Sequence, residues 1–103
     1  MKDLWKIELL KEADGITYVS GNEVTYKTGY QVATSGVECD SAAAAIEAAK
    51  SYGGNCGIWL SNGIYYVDES RRVKTKKQAV RIGKACHQIS ILKWKDMSLI
   101  YLK

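Results

Sequence analysis

Apolar positions along the chain alternate with polar ones, then recur at helical spacing, then alternate again, and this cycle runs twice. Residues 4 to 10, LWKIELL, set Trp5, Ile7 and Leu9 on one side with Lys6 and Glu8 opposite, which predicts a first strand. A turn at Ala13, Asp14 and Gly15 follows. ITYVS and EVTYKT then read as two β segments joined through a two-residue loop at Gly21-Asn22. Gly29 breaks the pattern before YQVATSG, another strand candidate.

The helical spacing begins at Asp40 or Ser41, either of which can cap AAAAIEAAKSY, and it stops at Gly53-Gly54. Ala42, Ala45, Ile46, Ala49 and Tyr52 form its buried arc, while Ala43, Ala44 and Ala48 offer a low, smooth outer surface. CGIWL and IYYVD flank Asn62-Gly63, and that dipeptide supplies the positive φ angles of a type I′ hairpin turn. Thr75 and Gln78 stand at capping-box spacing ahead of KKQAVRIGKAC. QISILKW and SLIYLK close the chain as strands, with a turn near Lys95 and Asp96.

The two helical segments echo each other. Ser41 matches Thr75, Ala45-Ile46 matches Ala79-Val80 and Lys50 matches Lys84, and each segment lies between strands. Residues 30 to 94 therefore read β-α-β, β-α-β, the order of the ferredoxin-like split βαβ arrangement. The expected fold is α+β: a mostly antiparallel sheet with two helices, ferredoxin-like βαββαβ with extra N-terminal and C-terminal strands. The 103 residues suit one domain spanning 1–103.

Composition changes this picture little, and charge changes it more. Apolar residues make up 47% and charged residues 25%, which excludes wholesale disorder. The net charge of +4 hides a division: residues 1 to 69 hold 5 Lys against 10 acids, whereas residues 70 to 103 hold 10 Lys and Arg against Asp96 alone. Such asymmetry points to an acidic partner, or to self-association through opposite ends as a homodimer. No apolar run is long enough for a signal-peptide core or a membrane span, so no membrane partner is expected. Cys39, Cys56 and Cys86 are an odd set without framework spacing, as expected of a reducing cytoplasm.

The strongest candidate site is the run Arg71, Arg72, Lys74, Lys76, Lys77, Arg81 and Lys84, seven cations with no intervening acid. On a helix, Lys77, Arg81 and Lys84 share one stripe, opposite Ala79, Ile82 and Cys86. Solvated helices usually interleave Glu with Lys, because like charges one turn apart repel. A phosphate backbone rewards an unbroken array, since each cation placed near a phosphate releases condensed counterions. An acidic protein groove would accept the same array.

Other residues carry less. Trp59, Tyr65 and Tyr66 flank the central hairpin, and Gly63-Ile64-Tyr65-Tyr66-Val67 is partly similar to the RNP1 pattern of RNA-recognition domains. Asn62 replaces the basic residue and Ile64 one stacking ring, so these aromatics read as core and cross-strand packing. Cys86 and His87 with Cys39 and Cys56 lack structural-zinc spacing, and Cys86-His87 has no orienting partner for nucleophilic work. Alternation turns Asp68 and Glu69 to opposite faces, and SYGGNCG lacks the Lys and hydroxyl residue of a phosphate loop. Neither a metal, a cofactor nor a catalytic residue is expected.

HQISILKW and SLIYL, following the GIWLSNGIYYVD hairpin, resemble segments of small phage and mobile-element proteins, the pool that includes anti-CRISPR and other anti-defence proteins. The resemblance implies a stand-alone protein that acts by binding. Two functions follow as expectations: a non-enzymatic binding protein whose basic helix face contacts nucleic acid or a nucleoprotein, or an inhibitor of a host defence nuclease acting by protein-protein contact.

Overall fold

The computed structural model describes residues 2–102. Its order is a 3-10 helix (Leu4–Leu9), β1 (Gly15–Val19), β2 (Asn22–Val24), β3 (Tyr30–Cys39), α1 (Ala42–Ser51), β4 (Cys56–Ser61), β5 (Ile64–Val73), α2 (Lys76–Ala85), β6 (Ser90–Lys93) and β7 (Ser98–Tyr101). The fold is α+β, an antiparallel sheet of seven strands with two helices. Strand order is β2-β1-β4-β5-β3-β6-β7. Within it, β4-β5-β3-β6 is the order of two interleaved split βαβ motifs, and β1, β2 and β7 are the extra strands.

The backbone packs as two compact units. Met1–Val24 and Gly36–Glu69 form the first, and Thr25–Ser35 and Ser70–Lys103 form the second, with β3 and β5 running through both.

In the first unit α1 covers the sheet. Ala45 and Ala49 are fully buried with Tyr18, Cys56, Ile58 and Val67, and Ala42, Ile46, Ala48 and Tyr52 pack around them. Ala48 thus belongs to the core rather than to an outer alanine surface. The Ser41 hydroxyl accepts from the Ala44 amide at 3.1 Å and so caps the helix. At its other end the Gly53 and Gly54 amides donate back to Lys50 and Ala49, and both glycines hold positive φ, a Schellman stop.

The expected first strand is instead the 3-10 helix. LWKIELL carries two periodicities, Trp5-Ile7-Leu9 at two and Leu4-Ile7-Leu10 at three, and the latter matches the three-residue turn. Leu4 and Ile7 are buried and Leu10 packs beside them, while Trp5 and Leu9 stay 56% and 65% exposed. Four contacts fasten this segment to the first hairpin. The Asp3 amide donates to the Gly21 carbonyl, the Glu23 amide to Asp3 Oδ2, the Tyr18 hydroxyl to the Asp3 carbonyl, and Lys6 Nζ to Glu23 Oε1 at 3.0 Å.

That hairpin turns at Ser20-Gly21, one residue before the expected Gly21-Asn22; φ is 53° and 79° at these positions, and Val19 pairs with Asn22. Tertiary bonds set the register, because the Gly21 amide donates to the Gly54 carbonyl and the Ser20 amide to Asn55 Oδ1. Asn62-Gly63 turns the β4-β5 hairpin as expected, with φ of 53° and 77°.

In the second unit α2 buries Ala79 and Gly83 against Val32 and Ile91, with Tyr30, Val73, Ile100 and Leu102 around them. Thr75 Oγ1 accepts from the Gln78 amide at 3.2 Å, while the Thr75 hydroxyl itself donates to Gln78 Oε1. The capping box is therefore half formed. The features of α1 recur 34 positions later: caps Ser41 and Thr75, first residues Ala42 and Lys76, and left-handed stops Gly53 and His87.

Candidate nucleic-acid interface

The second unit gathers the basic residues. It holds 11 Lys and Arg against Asp96 alone, net +10, whereas the first unit holds 4 Lys against 10 acids, net −6. This division is sharper than the split at residue 69, because Lys27 precedes β3 in sequence yet belongs to the basic unit. No linear signal marks Lys27, since only the strand pairing of β3 brings it there. Lys27 and Lys95 are exposed, and neither lies in the run from 71 to 84.

Arg71, Lys74, Lys76, Lys77, Arg81 and Lys84 are all exposed. Lys77, Arg81 and Lys84 stand on the solvent side of α2, away from buried Ala79 and Gly83. Lys76 opens the helix, and Arg71 lies on β5. Among the described residues, the ion pairs join Lys6 to Asp3 and Glu23 and Lys50 to Glu47, all in the acidic unit. The six exposed cations from 71 to 84 have no such partner.

Arg72 departs from the group. It is half-buried, and its Nε and Nη2 donate to the Thr28 carbonyl at 3.2 and 3.1 Å, with Nη2 also donating to the Thr28 hydroxyl at 3.0 Å. Its guanidinium lies 5.1 Å from the centre of the Tyr26 ring. Tyr26 in turn meets Trp94 edge-on at 5.5 Å, Trp94 Nε1 donates to Gln31 Oε1 at 3.2 Å, and Gln31 Nε2 donates to Ser70 Oγ at 2.6 Å. Arg72 thus braces loop 25–29 against β5 and leaves six exposed cations in the run. Gly29 permits that brace: its φ is +86°, and a Cβ there would lie 2.7 Å from the Val73 carbonyl oxygen.

Aromatics of the β4-β5 hairpin divide as packing demands. Tyr65 packs on the core and Tyr66 is half-buried opposite Trp59, which remains 46% exposed. This cross-strand pair belongs to the acidic unit.

Asp68 is half-buried opposite Gly57, and its Oδ1 lies where a Cβ on Gly36 would be. Burial pushes its carboxyl up to about 6. Burial, then the Asp68 charge, pushes the Cys56 thiol up to about 11. Cys39 is also raised, by burial and then by Asp40. Cys39 and Cys56 belong to the first unit and Cys86 to the second. Among the described residues no three His, Cys, Asp or Glu side chains converge as a metal site would require, and no helix is long and apolar enough to cross a membrane.

No protein-family model, no curated protein and no solved structure matches the chain.

Proposed function

We propose that this chain is a non-enzymatic binding protein whose basic unit contacts nucleic acid through Arg71, Lys74, Lys76, Lys77, Arg81 and Lys84. One observation carries the reading: six exposed cations without ion partners among the described residues, in a unit of net charge +10. Holding Lys77, Arg81 and Lys84 on one helix face opposes stability by mutual repulsion, and a phosphate backbone relieves it. The spacing suits charge recognition rather than base reading, so binding is sequence-tolerant and weakens with salt.

Reversal of three charges tests it. Wild-type protein should shift both duplex and single-stranded DNA in a gel at low salt, and Lys77→Glu, Arg81→Glu, Lys84→Glu together should abolish the shift while the circular dichroism spectrum is kept. Equal binding by wild type and the triple variant would overturn the reading. If the basic face instead captures one protein stoichiometrically from nuclease-treated host lysate, the reading as an inhibitor of a host defence nuclease, acting by protein-protein contact, replaces it.

A further inference from the structure

Gly29 stitches three loops of the basic unit together at one end of its strands. Its carbonyl accepts the Trp94 amide at 3.0 Å, and a Cβ on it would lie 2.7 Å from the Val73 carbonyl oxygen. Loop 25–29, the β5-α2 connection at 74–75 and the β6-β7 turn at 94–97 therefore meet there. Each brings one exposed lysine: Lys27, Lys74 and Lys95. Among the described residues the ion pairs include none of the three.

This rim joins two faces. On one, Val73, Ile91 and Ile100 pack under α2, whose outer side carries Lys77, Arg81 and Lys84. Strand alternation turns Arg72 and Tyr101, the neighbours of Val73 and Ile100, to the other face. Tyr26 lies there too, with its ring centre 5.1 Å from the Arg72 guanidinium, so loop 25–29 reaches round to the side away from α2. On that side Tyr101 is 66% exposed, the one exposed aromatic of the basic unit among the described residues. It stands about 10 Å along β7 from Ser98, the end of the strand next to the rim.

From this geometry we infer that the basic unit takes single-stranded nucleic acid in preference to duplex. The strand follows the α2 stripe, crosses the rim at Lys74, Lys27 and Lys95, and stacks a base on Tyr101. The inference rests on the nucleic-acid reading and names the form of nucleic acid that the site fits.

Two properties of the ligand select it. The exposed cations continue from the α2 face round the end of the strands to the other side. A duplex, with a persistence length of about 50 nm, stays straight over the width of one small domain and reaches one face. A single strand is flexible enough to follow the whole course. The exposed ring makes the second distinction. Duplex bases are already paired and stacked on one another, whereas a single strand can offer a base face to an aromatic side chain. An alternation of aromatic bases and phosphates is the chemistry that satisfies a ring set beyond a row of lysines.

Fluorescence anisotropy on the full chain tests it, with a labelled oligothymidine of about 16 nucleotides and a mixed-sequence duplex of the same length at matched KCl concentrations. Wild type should bind the single strand at least about fivefold more tightly, the effect of one stacked base. Tyr101→Ala should remove that preference and leave duplex affinity unchanged, while Tyr101→Phe, which keeps the ring, should bind like wild type. Lys27→Ala with Lys95→Ala should flatten the single-strand salt slope by about 1.4, at about 0.7 for each lost phosphate contact, and leave the duplex slope unchanged. Those two exposed loop positions keep the test decisive if Tyr101→Ala misfolds. Duplex binding as tight as single-strand binding, replacements that weaken both forms alike, or replacements that leave single-strand binding unchanged would overturn this inference and spare the nucleic-acid reading. A wild type that binds neither form would overturn both.

Discussion

Arg72 holds Thr28 twice over, through the carbonyl and through the hydroxyl, and this removes one of seven neighbouring cations from the surface. Arg72→Ala should lower unfolding free energy by about 1–2 kcal/mol, from the lost charged hydrogen bonds and the Tyr26 contact. It should leave the salt dependence of DNA binding nearly unchanged. Lys77→Ala should do the reverse, with stability within about 0.5 kcal/mol of wild type and weaker binding. Urea titration and binding isotherms on the two variants separate the roles.

Gly53 and Gly54 both adopt left-handed φ, yet their surroundings differ. A Cβ on Gly53 meets nothing within 4 Å, whereas one on Gly54 would lie 2.3 Å from the Gly21 amide nitrogen. Gly53→Ala should therefore destabilise by only about 1–2 kcal/mol, the backbone strain alone. Gly54→Ala should cost several kcal/mol, because the backbone of the first hairpin would have to move. At the equivalent stop of α2, His87 holds φ of 58°, so His87→Gly should stabilise by up to about 1 kcal/mol. Thermal melts rank the three variants.

The elements most legible in the sequence were those fixed by local chemistry. Asn62-Gly63, Gly53-Gly54, Ser41 and Thr75 each satisfy their own backbone, so the hairpin and both helices stand where the pattern places them. Readings failed where tertiary contacts chose between local alternatives, and EVTYKT, expected as a strand throughout, is one only as far as Val24. LWKIELL fits period two and period three alike, and ties from Asp3 and Lys6 to the first hairpin accompany the 3-10 form. The turn at Ser20-Gly21 shifted one residue because Gly54 and Asn55 bind it. The charge run was legible as a run, but its membership was not. Nothing linear shows that Thr28 and Tyr26, 44 and 46 positions before Arg72, fold back to hold it, or that Lys27 joins the basic unit.

Asp68 should make stability depend on pH. Burial raises its carboxyl from 3.8 to about 6, so the folded chain favours the protonated form. The stability this contributes is fully present below about pH 4 and is lost as pH rises through about 6. Asp68→Asn keeps the side chain neutral throughout. It should match wild type near pH 4 and exceed it by about 1–2 kcal/mol at pH 7.5, a gain moderated by solvent screening of a half-buried group. The difference between wild-type and variant urea midpoints across that range reads the effect.

Cys56 is 1% exposed, with a thiol raised to about 11 by burial and the Asp68 charge. Little thiolate exists at neutral pH, and the sulfur is shielded. Iodoacetamide at pH 7.5 should therefore leave Cys56 unmodified in the native protein and label it in urea, as peptide mass spectrometry would show. Native labelling of Cys56 faster than of Cys86 would contradict the packing of the first unit.

If, as proposed, the six exposed cations of the basic unit bind a phosphate backbone, counterion release gives that binding a number. With at most six phosphates neutralised, log K against log salt should fall with a slope no steeper than about −5.4 for duplex DNA. Fluorescence anisotropy with a labelled duplex, titrated across several KCl concentrations, measures this directly. Wild type should show a clear negative slope that becomes shallower by about 0.9 for each of Lys77, Arg81 and Lys84 replaced by Ala. A flat salt dependence, or a slope that the three replacements leave unchanged, would contradict it.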